Sequence, residues 1–345
     1  MPGRTTTPVA AAIGGAVCIS SSAVVMRLAS TSASITAFGR CVFALPLLGA
    51  LVIYERRRGA SPLPARSRWL ARLAGVLLAA DLIVWSHAID AIGAGLGTVV
   101  TNLEVLIISL LAWVVLGERP RRSLVLASPV MLTGLVLVGG LADIGSSRAY
   151  GTDPALGVGY GVAVAVLYAI YILTLRQATF TRVAGGTAAG PRPAVAAPLF
   201  EATLGAAAAS AVIGLALHDY RLGPAWPALG WLALLALTSQ VIGWLLITVS
   251  MPRLPAGMIG ALLLIQPAGS VALSYAVLGE RPSALQLVGV VLILCGVLVA
   301  VGGRTPASEE PVLAETGGGD YSRRSTRIIR HASVASTGES ASKSP

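Results

Sequence analysis

Apolar residues along this chain arrive in blocks of about twenty, separated by short stretches of Gly, Pro, Ser, Asp and Arg. Within a block, Leu, Val, Ala and Gly occupy every side rather than one stripe, so the pattern matches neither a half-buried strand nor a surface helix. Twenty helical residues at 1.5 Å each cross roughly 30 Å of hydrocarbon. The blocks predict spanning helices at 9–29, 34–54, 70–88, 94–116 and 123–141, then at 155–175, 197–217, 229–249, 256–278 and 284–302. A spanning barrel would need segments of about ten residues alternating in polarity, which these blocks lack. The expected fold class is an all-α integral membrane protein with ten transmembrane helices.

Composition closes the soluble alternative. Hydrophobic residues make up 55% of the chain and charged residues 12%, and mean hydropathy is +0.80, against about 25% charged residues in a soluble domain. The last segment, 304–345, reverses the trend: it is rich in Ser, Thr and Gly, mixes acids with bases, and reads as a disordered cytoplasmic tail. The net charge of +10 follows topology. Placing the N-terminus inside puts Arg56, Arg57, Arg58, Arg66, Arg68, Arg119, Arg121, Arg122, Arg182, Arg192 and Arg253 in cytoplasmic loops. Only Arg148, Arg221 and Arg281 then face outward, beside Asp90, Asp143, Asp153, Asp219 and Glu280, so both termini are expected to be cytoplasmic in a multi-pass protein of the cell membrane. Cys18, Cys41 and Cys295 all fall inside spans and read as packing residues, not as a disulfide framework or metal site.

A repeat organises the spans. Leu116-Gly117-Glu118-Arg119-Pro120 recurs as Leu278-Gly279-Glu280-Arg281-Pro282, an offset of 162 residues (278 − 116). Each copy joins the fourth span of its half to the fifth, and a glycine, Gly134 or Gly296, follows at the same distance. The chain therefore divides into a first five-helix repeat over 1–141, an inter-repeat loop over 142–154, a second five-helix repeat over 155–303 and the tail. An odd number of spans per unit makes the second unit enter from the opposite side, giving two inverted five-helix repeats of the kind transporters use. The pentapeptide also has a purely local reading. Gly suits the left-handed position after a helix and Pro the first turn of the next, with the carboxylates of Glu118 and Glu280 bonding backbone N–H groups or Arg.

These motifs resemble the EamA-type permeases of the drug/metabolite transporter superfamily. The resemblance covers nearly everything up to residue 303 and rests on the two Leu-Gly-Glu-Arg-Pro turns, on Gln266-Pro267 ahead of Glu280, and on Arg40 followed by Phe43 and Ala44. It implies ten spans in two repeats and a secondary transporter exporting a small metabolite, an amino acid or related compound, or a drug. One departure stands out: the 162-residue offset pairs Pro267 with Val105 and Gln266 with Glu104, so the first repeat lacks the helix-breaking proline.

Polar residues inside spans are the candidate substrate-binding set, because a charge at the bilayer centre costs roughly 2.5–3.5 kcal/mol on insertion scales. Glu104 shares a face with Thr101 and Gly97 and reads either as a substrate or proton site, or as a structural residue that is neutral or paired with Arg40. Arg40 suits a carboxylate or phosphate. Asp81 with Trp85 one turn later suits an organic cation or ammonium. Gln266, Ser270 and Ser274 recur every fourth residue as a polar stripe, lining a cavity or bonding between helices. Arg27 and Glu201 sit near span ends, where long side chains reach the interface.

No catalytic residues, metal ligands or cofactor are expected. An enzyme would need a His-rich cluster, a nucleophile beside a base or paired acids, and His87, His218 and His331 lack metal spacing. No phosphate-binding Gly-rich loop marks an ATP-driven pump. The bases are scattered over short loops, which argues against nucleic acid. The expected partners are the lipid bilayer and a small-molecule substrate, with the protein a monomer or homodimer. The competing reading is a non-transporting membrane partner or receptor acting through its tail.

Overall fold

In hydrocarbon each backbone N–H and C=O must be satisfied within its own segment, so apolar blocks of this length are forced into helices. The computed structural model describes residues 3–116, 120, 122–139, 153–180, 196–219, 226–250, 254 and 256–302, and all regular structure among them is helical. The tail, most of the inter-repeat loop and Glu118 lie outside the described residues.

The first half contains α1 (Gly3–Ser20), α2 (Ser22–Ala29), α3 (Ala33–Arg57), α4 (Ala65–Ile92), α5 (Ala94–Thr101), α6 (Glu104–Leu116) and α7 (Arg122–Val138). The second contains α8 (Pro154–Phe180), α9 (Ala196–Ala216), α10 (Ala228–Leu235), a π-helical segment (Ala236–Gly243), α11 (Trp244–Ser250), α12 (Ala256–Leu263), α13 (Ile265–Leu273), a second π-helical segment (Ser274–Leu278) and α14 (Ala284–Gly302). Eight stretches are long and apolar enough to cross a membrane, and two shorter apolar helices accompany them, α7 and the Ala284–Ala300 part of α14. Four predicted spans are interrupted: at Ser21, at Asn102–Leu103, over Ala236–Gly243, and at Leu264 and again from Ser274.

The two halves exchange roles in the packing. α1 lies on α11, as α4 lies on α8; α3 packs on the first π-helical segment, as α4 packs on α9; α1 touches α12 and α13, as α8 touches α5 and α6. Three pairings map onto themselves: α3 with α9, α5 with α13 and α7 with α14. Small residues make these approaches possible where no hydrophobic effect separates helix from lipid. A Cβ on Gly134 of α7 would stand 2.7 Å from the Gly289 carbonyl oxygen of α14, and one on Gly289 would stand 2.6 Å from that of Gly134. Gly75 of α4 lies directly against the Ala202 carbonyl of α9.

Apolar clusters fill the bundle. One joins α4, α5, α7, α8, α13 and α14 through Ile92, Val100, Met131, Ala165, Leu264 and Ile293. Another joins α3, α4, α8 and α9 through Cys41, Leu78, Leu82, Tyr171 and Ala206. The outer surface is also apolar, with Leu126, Val114, Val212 and Leu215 well exposed. Water would not tolerate such a surface over the whole bundle, whereas acyl chains would.

Candidate functional site

The polar interior begins at Arg40, which α3 carries into the bundle with 6% of its surface exposed. Its Nε donates to Gln240 Oε1 at 3.0 Å, Nη2 to Ser239 Oγ at 3.2 Å and Nη1 to Ser22 Oγ at 3.5 Å. Ser22 in turn donates to Ser239 at 3.0 Å, and Gln240 Nε2 donates to Thr203 Oγ1 at 3.4 Å. All these acceptors are neutral. The three that bond Arg40 also sit at or beside a departure from α geometry: Ser22 follows the break at Ser21, and Ser239 and Gln240 lie in the π-helical segment, a wide turn often found at functional sites. The Arg40–Glu104 pairing, one of the alternatives open from sequence, is not among the ion pairs of the described residues. Arg40 instead bonds to α2 and to the π-helical segment, which carry three oxygen acceptors within its reach.

Asp81 and Trp85 behave differently. Asp81 is 5% exposed, yet its Oδ1 meets no hydrogen-bond donor among the described residues, and the buried Nε1 of Trp85, one turn along α4, meets no acceptor among them. Asp81 lies within electrostatic reach of Arg40 on α3 and of Glu104 on α6, and Glu104 within reach of Tyr168 on α8. The rings of Tyr168 and Tyr171 lie 5.6 Å apart beside this group. Arg40, Asp81, Trp85 and Glu104 are thus brought together at the meeting of α3, α4, α6 and α8.

Glu104 is the first residue of α6, immediately after the break at Asn102–Leu103, so its carboxylate sits at the positive end of a half-helix dipole. Gln266 and buried Pro267 follow the corresponding break at Leu264. Ser270 is engaged between helices: its hydroxyl contacts Thr98 Oγ1 at 3.1 Å and the Ala94 carbonyl at 3.4 Å, both on α5. Ser274 donates to the Val271 carbonyl at 3.0 Å. The α13 residues therefore join the group through α5, with no hydrogen bond to Arg40 or Asp81 among the described residues.

Both ends of the bundle are tied across the halves. At one end Glu280 Oε1 accepts from the Ala94 amide at 2.8 Å and Oε2 from the Gly95 amide at 3.2 Å, capping the start of α5. Gly279 takes the left-handed conformation expected of that turn (φ +69°). Gly93, with φ +97°, lets α4 pass into α5 close against the Glu280 carboxylate. A cavity of about 470 Å³ opens there, lined by Arg27, Ser30, Thr31, Ser86, Asp90 and Glu280, with Arg27 and Asp90 ion-paired at 3.0 Å. Asp81 lies nine residues further along α4 from Asp90, about 13 Å of helix. At the other end Arg72 Nε meets Glu201 Oε2 at 2.7 Å, and Glu55 accepts from the Ala196 amide at 3.1 Å. Arg27 and Glu201, read from sequence as reaching for the interface, are both in ion pairs.

Sequence reasoning passed over Ser22, Ser239, Gln240 and Asn102. The available signal was the one used for Gln266: an amide inside an apolar block needs a partner.

An all-helical bundle with an apolar exterior and ionisable groups held inside defines a multi-pass membrane protein. The chain belongs to the EamA-like transporter family, whose model matches residues 6–140 and 155–302 and so meets both repeats. Members are membrane transporters of the drug/metabolite type, embedded in the bilayer, acting on small molecules and in general not enzymes. No curated protein matches the chain. A solved crystal structure, described only as that of a protein, is similar in fold, with TM-score 0.56 at 20% identity over 86% of this chain and 96% of the other.

Proposed function

We propose that this protein is a secondary transporter of the cell membrane that exports a small metabolite, an amino acid or related compound, or a drug, by alternating access. Substrate is held between the two repeats by Arg40, Asp81, Trp85 and Glu104, with Gln266 and Ser270 bordering the site from α13. The observation that carries this reading is the unpartnered pair on α4. A buried carboxylate oxygen and a buried indole N–H without partners each cost free energy that a bound ligand would return. Asp81 also lies within electrostatic reach of a guanidinium whose bonding partners are all neutral, so an acidic group and a cation are both available to a ligand.

The two short apolar helices complete ten spans, in two inverted repeats, with both termini cytoplasmic; the exchange of packing partners between halves supports that arrangement. In this orientation the Glu280 cavity faces outward and the Arg72–Glu201 end faces the cytoplasm. The repeats within one chain complete the bundle, so a monomer suffices. The test is accumulation of a mixed panel of labelled amino acids, organic cations and sugar derivatives in vesicles holding the purified protein, wild type against Asp81→Asn and Glu104→Gln. Protein-dependent flux that falls in both variants supports the reading. Flux unchanged in both removes the site, and no flux of any panel member by wild-type protein counts against the carrier function itself.

A further inference from the structure

The two repeats break the same span at the same register by different chemistry. In the second repeat the break at Leu264 precedes Pro267, which has no N–H to give to the carbonyl four residues back. The 162-residue offset places Asn102 at Leu264 and Val105 at Pro267, so the first repeat breaks at the matching residue without a proline. Val105 keeps its amide and donates it to the Asn102 carbonyl at 3.3 Å.

The backbone around Asn102 shows what permits the break. In a continuous helix the Thr98 and Val99 carbonyls would take the amides of Asn102 and Leu103. Here those amides go one residue short, Asn102 to the Val99 carbonyl and Leu103 to that of Val100, each at 3.1 Å. The carbonyl of Thr98 has lost the amide that a continuous helix would give it, and an unsatisfied carbonyl away from water costs several kcal/mol. The Asn102 side chain restores it: Nδ2 donates to Thr98 O at 2.9 Å and also reaches Val99 O at 3.4 Å. The Thr101 hydroxyl adds a bond to Thr98 O at 2.8 Å. Two residues later α6 begins at Glu104.

We propose that Asn102 is a positioning residue that keeps this span broken, doing with a side-chain amide what Pro267 does in the other repeat, and so sets Glu104 at the head of its own half-helix. The role of Glu104 in the site rests on the function proposed above, whereas the role of Asn102 in the break does not. Asn102→Leu removes the two donors at similar volume, and Asn102→Ala, a strong helix former, covers the case in which leucine prevents folding. Either lets the span anneal.

The experiment is hydrogen–deuterium exchange of the full-length protein in lipid nanodiscs, followed over residues 98–108, alongside panel flux in vesicles. Annealing by either variant slows amide exchange at 102–106 roughly tenfold relative to wild type, about the worth of one or two net hydrogen bonds. Adding Val105→Pro, which puts a proline in register with Pro267, returns exchange at Glu104 and Leu106 toward wild type and recovers flux. A merely structural role for Asn102 predicts no rescue by a second substitution three residues away. Unchanged exchange in both single variants overturns the proposal, as does failure of Val105→Pro to restore exchange. Exchange needs no cargo, so a wild-type protein that moves nothing in the panel undermines the transport reading while leaving this one to be decided.

Discussion

Arg40 and Asp81 share one electrostatic neighbourhood, and the protein treats them in opposite ways. The cation is wrapped: three of its nitrogens are bonded to side-chain oxygens from α2 and the π-helical segment. The carboxyl group is left bare on one oxygen, one turn from an indole N–H equally bare. A buried group whose partners come from its own protein is a fixture, and removing those partners weakens the fold. A buried group without them weakens the fold by its presence, a cost that a bound ligand can offset. The contrast separates the part of the polar interior that holds the bundle together from the part that remains available.

Neutralising Asp81 tests the contrast most severely. Asp81→Asn keeps the shape and should lower flux of a transported panel member about 100-fold, the scale of losing a charge-assisted contact worth ~3 kcal/mol. The same substitution should leave thermal unfolding in detergent unchanged or raised, because no hydrogen bond to the Asp81 Oδ1 is lost. A marked fall in melting temperature would mean that Asp81 is a fixture after all. Gln240→Ala should do the reverse, costing roughly 2 kcal/mol of stability by stripping the Nε acceptor from a buried guanidinium, visible as a lower melting temperature. If Gln240→Ala melts like wild type, Arg40 is not held as described. Glu280→Ala removes two amide acceptors at the start of α5 and should cost about 1 kcal/mol, with faster exchange of the Ala94 and Gly95 amides as the sharper readout. Smallest is Glu201→Gln: its partner Arg72 is 40% exposed, so the pair should contribute less than about 1 kcal/mol and the variant should melt close to wild type.

The spans were legible because transfer into hydrocarbon depends on composition over twenty residues. Expected and observed helix limits agree within three residues for α3, α7, α9 and α14, while α4 and α8 run up to five residues past the expected limits. The interruptions were not legible, because hydropathy does not record which donor each carbonyl finds. Asn102 looks like one polar residue in an apolar block until its amide is seen on Thr98 O. The candidate site was legible in part for the same reason: Arg40, Asp81 and Glu104 declared themselves by their cost in lipid, and Asp81 lies within electrostatic reach of the other two. Their bonding did not follow, since the partners of Arg40 lie far beyond the reach of any local pattern; Gln240 stands 200 positions away in sequence. The turn glutamates fall between these cases. A carboxylate bonded to backbone amides was expected of Glu280, but not that the amides belong to the other half of the chain.

The close pairing of α7 with α14 bears on how the protein is made. The carbonyl-to-glycine contact between Gly134 and Gly289 joins the last helix of the first half to the last described helix of the second. α7 has 17 residues, about 25 Å, less than the hydrocarbon thickness, and little to hold it before its partner arrives. A ribosome must therefore synthesise everything in between before the first half is complete. Chains cut short by a late nonsense mutation would present an orphaned α7 to the quality-control proteases of the membrane, and two halves expressed as separate polypeptides would have to find each other before either could persist.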